Sequence, residues 1–186
     1  MTVHGIQGPR IRLVPFEKDY VDYVLRWFND PEVLRYVKRV MPLHRVQEEQ
    51  FVERMAQSKD DVVWAVLDEN ESPIGVSGLH GIDWVNRNAK TGTVIGERSV
   101  WRKGYGTEVM ATRTKWAFEE LGLHRLQSEC YVENVASRRC LEKAGYQLIG
   151  TARRRMWRNG AWHDLLLFDI LEEDWLAAHP RPTRPS

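Results

Sequence analysis

The stretch Val94–Glu108 reads V-I-G-E-R-S-V-W-R-K-G-Y-G-T-E, and its reading decides the fold. Thr93, Val94 and Ile95 form an apolar, β-branched run that predicts the end of a strand. A short polar turn follows. Arg102, Lys103, Gly104, Tyr105, Gly106 and Thr107 then lead into a helical pattern. A glycine-bearing loop that closes a strand and opens a helix suits an anion. Gly104 and Gly106 accept backbone angles that other residues resist, and they let a ligand approach the main chain. The first N–H groups of a helix lack intrahelical partners and carry the positive end of its dipole. A diphosphate satisfies both conditions. The Walker spacing is absent, and Val109 stands where a dinucleotide fingerprint needs its third glycine. On these residues alone a plain tight turn stays open as the alternative.

Working outward, the chain before the loop begins with a loose start over residues 1–8. Ile11 to Pro15 alternates as a strand. Asp19 to Phe28 has helical spacing, with Tyr20, Val24 and Phe28 in one stripe. Asp30 and Pro31 cap and open a short helix over Glu32 to Val37. Val46 to Gln57 is a further helix. Val62 to Leu67, Ile74 to Ile82 and Ala89 to Ile95 read as a β-meander.

After the loop, Glu108 to Leu121 is a helix ended by Gly122. Arg125 to Tyr131 is a strand. Asn134 to Ala144 is a helix with Ala136, Cys140, Leu141 and Ala144 on one face. Asn159-Gly160 is a strong type I′ turn signal between Arg155–Trp157 and Trp162–Leu171. Glu172 to Ala178 adds a short helix, and a proline-rich tail over 179–186 frays. With no repeat and no linker, residues 9–178 read as one domain, a mixed α/β sandwich.

Composition narrows the function. Hydrophobic residues make up 42% and charged ones 28% of 186 residues, which suits one globular domain with a sizeable core. Lys plus Arg is 27 against 26 for Asp plus Glu; a general nucleic-acid binder needs a basic surface. Two cysteines, Cys130 and Cys140, are too few for a disulfide framework and read as reduced thiols of a cytoplasmic protein. No apolar run is long enough to span a bilayer, and no signal-peptide core opens the sequence.

The longer string I-G-E-R-S-V-W-R-K-G-Y-G-T-E resembles the acetyl-CoA loop of the GCN5-related N-acetyltransferases, the GNAT superfamily. It is most similar to the RimJ/RimL-like branch, which commonly carries a tryptophan where Trp101 stands. Arg102 occupies a position where that branch often has glycine. Asn134-Val135-Ala136-Ser137 followed by Leu141-Glu142-Lys143-Ala144-Gly145-Tyr146 resembles the family's second signature. The bland readings stand beside it: Asn134 as a helix cap, Ser137 as a first-turn hydroxyl, Gly145 as a C-cap.

The resemblance implies the GNAT fold: a mixed, mostly antiparallel central sheet flanked by helices, with a splayed strand pair that binds acetyl-CoA. It implies acetyl-CoA as cosubstrate, no metal, and direct transfer to an amine in a ternary complex. The acceptor is a protein N-terminus or a small-molecule amine, and the protein a monomer or homodimer. Main-chain groups at Val94, Ile95 and Gly96 would pair with the pantetheine, as an added strand does. The N–H groups of Arg102 to Thr107 would hold the diphosphate, with Arg102 and Lys103 adding charge.

For the proton acceptor, a glutamate used by some relatives is Lys90 here, which leaves His80, Asp83, Glu129 or a water chain. The tyrosine that protonates the thiolate in others is Leu141, and the branch points to Ser137 in its place. Trp27, Trp84 and Trp162 are candidate walls of an acceptor pocket. Arg153, Arg154, Arg155 and Arg158 form either a solvated strand edge or an anion site. The rival of a different class is a non-catalytic module that senses acetyl-CoA.

Overall fold

A computed structural model describes residues 5–180. Eight strands form one sheet in the order β1-β2-β3-β4-β5-β6-β8-β7. They are β1 (Ile6–Gln7), β2 (Arg12–Pro15), β3 (Val62–Leu67), β4 (Pro73–Asp83), β5 (Asn88–Ile95), β6 (Arg125–Tyr131), β7 (Gln147–Arg158) and β8 (Ala161–Leu171). Every neighbouring pair is antiparallel except β5 and β6. A parallel pair cannot be joined by a hairpin and needs a crossover. That crossover is α4 (Tyr105–Glu119), so the glycine loop lies at the carboxyl end of β5 and opens α4.

The period of two along each strand sorts the core into two layers. On β3, Trp64 and Val66 pack with α4, α5 (Val135–Lys143) and α6 (Glu172–Ala178), beside Phe118, Leu123, Leu126, Leu141, Phe168 and Trp175. The alternate residues Val63, Ala65 and Leu67 face the other way. They meet Phe16, Val24, Trp27, Val33, Leu43 and Val52, from α1 (Val21–Trp27), α2 (Pro31–Leu34), α3 (Arg45–Gln57) and their connections. The wide core on the α4 side and the narrower one on the α1/α3 side leave different amounts of space against β4 and β5.

Most of the expected elements are present, but α4 opens at Tyr105 rather than Glu108, β7 opens at Gln147 rather than Arg155, and four further differences stand out. Ile6–Gln7, expected in the loose start, pairs with β2: Gly8 N–H donates to Ile11 C=O at 2.8 Å and closes a tight hairpin. His179, expected in the frayed tail, stacks on Trp175 at 3.8 Å. The rest of both expected termini, residues 1–4 and 181–186, lies outside the described residues. α2 stops at Leu34, short of Val37. The Arg158 guanidinium donates to the carbonyls of Leu34, Val37 and Arg39 at 2.7–2.9 Å, satisfying oxygens that a longer helix would have used. Ala136, expected on the inner face of α5, is exposed. The Asn159-Gly160 turn has φ of 49° and 75°, both positive as type I′ requires.

Candidate active site

The two central strands part company midway along β5. Asn88, Ala89 and Lys90 pair with Arg125, Leu126 and Gln127, and Thr91 Oγ1 donates to the Gln127 carbonyl at 3.1 Å. Past that point β5 continues with β4 as far as Ile95, while β6 continues with β8 as far as Tyr131. The result is a wedge-shaped gap in the sheet.

Which main-chain groups face the gap follows from the ladder. Gly96 N–H donates to Ile74 C=O at 2.9 Å, so Gly96 turns toward β4. By the alternation of an antiparallel ladder Val94 does the same, and Thr93 and Ile95 turn into the gap. This corrects the expectation that Val94, Ile95 and Gly96 all offer free groups: of the three, Ile95 does. Its carbonyl accepts from the Trp101 indole N–H at 2.8 Å, which pins the loop back onto the strand end and leaves the Ile95 N–H facing the gap. Gly96 is required for another reason. A Cβ there would stand 2.2 Å from the Trp27 ring.

At the loop, Arg102 has φ of 63° and Gly104 φ of 90°. The left-handed angle is cheap for Gly104 and strained for Arg102, at the position where the resembling branch has glycine. No group among the described residues accepts from the main-chain N–H of Arg102, Lys103, Gly104, Tyr105, Gly106 or Thr107. Tyr105 contributes main chain only, since its ring is buried and its hydroxyl donates to Glu69 at 2.7 Å.

Sequence reading missed what braces this loop. Arg10 donates to the Lys103 carbonyl through both terminal nitrogens at 3.3 Å, pairs with Glu108 at 3.0 Å and lies 4.6 Å over the Tyr105 ring. Nothing in the spacing of Arg10, 94 residues before Gly104, signals this contact.

On α5, Asn134 caps the helix: its Oδ1 accepts from Ser137 N–H at 3.1 Å. The Ser137 hydroxyl is engaged with Cys130, whose thiol burial pushes up to about 11 against the partial offset of that bond. Cys140, one turn further, approaches the loop; a Cβ on Gly106 would lie 3.4 Å from its sulfur and 3.8 Å from Ile95. Leu141, at the tyrosine position, is fully buried and brings no proton.

A cavity of about 260 Å³ opens on the other face of the splayed strand. Gly92, Thr93 and Val94 form its floor with Val76 and Gly78, and Phe16, Phe28 and Phe51 its walls. Three ionisable residues line it: Arg39, Glu48 and His80. His80 lies across two glycines, so that a Cβ would stand 2.8 Å from Nε2 at Gly78 and 3.6 Å at Gly92. Its other nitrogen, Nδ1, lies 3.3 Å from Asp61. Burial alone would raise the Asp61 carboxyl. Hydrogen bonds from Ser58, Gly81 N–H and His80 outweigh it and hold the group below its usual range. Thus Asp61 stays ionised and orients His80.

The remaining expected proton acceptors lie elsewhere. Asp83 ends β4 and caps the turn that follows: its Oδ1 accepts from Val85 and Asn86 N–H at 3.0 and 2.9 Å, and Asn86 hydrogen bonding holds its carboxyl low. Glu129 is paired with Lys38 outside the cavity lining. The expected tryptophan walls are also corrected. Trp27 is buried under Gly96, Trp84 donates to Lys59 C=O, and Trp162 is exposed against Trp157. Phenylalanines take that place because they need no hydrogen-bond partner. Arg158 is spent on three carbonyls and is no anion site. A second residue missed by sequence reading is Arg113 of α4. It is 1% exposed and donates to Ser77 Oγ, Gly92 C=O and Thr93 Oγ1 at 2.7–2.9 Å, tying β4 to β5 where the gap begins.

Residues 10–147 match the acetyltransferase (GNAT) domain family. The chain belongs to the GNAT acetyltransferases. It is 29% identical to the uncharacterized N-acetyltransferase YoaA of Bacillus subtilis over 90% of this chain and 96% of that protein. It is 36% identical to the putative ribosomal N-acetyltransferase YdaF of the same organism over 54% of this chain and 55% of that protein. Among solved structures, spermidine N-acetyltransferase from Vibrio cholerae, in complex with CoA and spermine, superposes with a TM-score of 0.85. Identity is 19%, over 90% of this chain and 98% of that one, and this likeness concerns the fold.

A GNAT acetyltransferase is an acyltransferase that draws on acetyl-CoA, and the residues present fit that cosubstrate. The free N–H run at 102–107 suits its diphosphate, and the open edge of β5 suits an extended chain.

Proposed function

We propose that this GNAT acetyltransferase transfers the acetyl group of acetyl-CoA to a primary amine held in the cavity under β5, with both substrates bound together. The observation that carries the reading is the position of Thr93 and Val94. Both floor the cavity, and the main chain of Thr93 also turns into the gap, so an acceptor nitrogen and an acyl group come together beside one strand.

The roles follow from chemistry. Asp61 fixes His80 so that Nε2 takes a proton from the entering ammonium. The Ile95 N–H supports the carbonyl oxygen as charge develops. The loop amides of 102–107, with Lys103, anchor the diphosphate. Asn134 and Ser137 shape the opposite wall of the gap. Acetyl-CoA supplies the activated acetyl; a C–N bond forms as the C–S bond breaks, and solvent protonates the departing thiolate. Trp101 and the likeness to YdaF support a place in the RimJ/RimL-like branch. The free thiols of Cys130 and Cys140 support a cytoplasmic setting.

The test is thiol release from acetyl-CoA in the presence of a panel of primary amines. Amine-dependent release is expected. CoA binding without turnover on any amine would instead mark a sensor of acetyl-CoA.

A further inference from the structure

We propose that the acceptor is a small monoamine with an apolar body, and that Glu48 is the residue that selects it. This rests on the acetyl-transfer reading and specifies its second substrate.

Glu48 sits on α3 and is 7% exposed. No hydrogen-bond donor and no ion-pair partner reaches its carboxylate among the described residues. Glu48 is among the residues that line the cavity. A carboxylate taken out of water without a partner is costly, and burial accordingly raises its pKa against the weaker pull of Arg39 and Arg54. A cation entering the cavity offsets that cost. The substrate of an N-acetyltransferase arrives as such a cation.

The rest of the lining restricts what the cation is attached to. Phe16, Phe28 and Phe51 enclose it, with the Phe16 and Phe51 rings 6.2 Å apart and tilted at 59°. Phe16 and Phe51 thus pack on each other as one apolar wall, which takes an apolar group and adds attraction for an ammonium over a ring face. The volume of about 260 Å³ lies just below the roughly 300–1,000 Å³ of pockets for drug-sized ligands. A linear polyamine needs several carboxylates spaced along its length. Glu48 is the one acid among the residues of this lining, so the cavity offers a carboxylate to one ammonium group and none to a second. A substrate carboxylate finds no free fork either. Arg39 already donates to Met41 C=O, Pro42 C=O and Gln47 Oε1 at 3.0–3.3 Å.

The experiment is isothermal titration of the full chain, preloaded with CoA, by phenethylamine, spermidine and a short peptide with a free N-terminus. Glu48→Gln is titrated in parallel, together with CoA alone. Phenethylamine is expected to bind at least 10-fold tighter than spermidine or the peptide. Glu48→Gln is expected to weaken phenethylamine at least 30-fold, in line with the loss of a buried charge pair, with CoA affinity within 2-fold of the parent. Tighter binding of spermidine or the peptide overturns the proposal. Equal binding of phenethylamine to Glu48→Gln does so as well. Failure of CoA itself to bind strikes the acetyl-transfer reading, while the amine titration without CoA still reads Glu48.

Discussion

The gap between β5 and β6 has two neighbours built on different principles. The loop at 102–107 offers main chain: six N–H groups with no acceptor among the described residues, set by two left-handed residues and braced from outside by Arg10. The cavity at Gly92–Val94 recognises with side chains: three phenylalanines, one buried acid and an oriented histidine. A main-chain site depends on conformation and tolerates changes of side chain. A side-chain site depends on identity and tolerates small changes of backbone. The first suits a cosubstrate shared across a family, the second an acceptor particular to one chain.

The largest effect that would sharpen this contrast is expected at Gly104. Gly104→Val forces a β-branched residue to φ of 90°, although its Cβ would meet only the Arg10 guanidinium at 3.4 Å. The loop should rearrange while α4 persists. CoA affinity measured by calorimetry should fall at least about 100-fold with the circular dichroism spectrum unchanged. Full affinity would show that the loop amides are not the anchor.

Next comes His80→Ala, on the cavity side. Loss of an oriented base should lower kcat about 100-fold or more, with the KM for acetyl-CoA unchanged. A wild-type kcat would hand the proton to water.

The smallest effect concerns stability. Burial raises the Glu48 carboxyl in the folded chain. Between the unfolded and folded pKa the native state holds a proton that the unfolded chain has lost. Native stability therefore falls as pH rises through that window and stays lower above it. Glu48→Gln should match the parent near about pH 4 and melt higher at about pH 8, by about 2–4 °C for each 1 kcal/mol relieved. Equal melting at both values would mean that the buried acid carries no strain. No loop substitution should show this pH dependence, because the loop holds no buried carboxylate.

The same contrast explains how much was readable in advance. Val62–Leu67 and Arg125–Tyr131 were legible to the residue, because alternation and flanking turns mark half-buried strands. The Asn159-Gly160 turn was legible too, though the strand before it runs from Gln147 rather than from Arg155. The loop was legible because main-chain recognition leaves glycines at fixed spacing. The cavity was not. Glu48 sits in a run of polar residues, Gln47-Glu48-Glu49-Gln50, and reads as a solvated face; only the packing of α3 over β4 and β5 turns it inward. Asp61 and His80 lie 19 residues apart with nothing to link them, until the antiparallel pairing of β3 with β4 brings them together. Asp83 stands on the expected strand, but the irregularity between His80 and Asp83 sets it at the strand's end, where its carboxylate is used by the following turn.

The Arg158 clamp bears on how a protein like this changes allegiance. Its three carbonyls belong to Leu34, Val37 and Arg39, in the segment that delivers α3 and its acid to the pocket. The tip of the last hairpin therefore grips the cavity wall from behind, through the main chain of Arg39. Drift at that remote corner can retune which guest is admitted while the shared carrier's berth stays as it was.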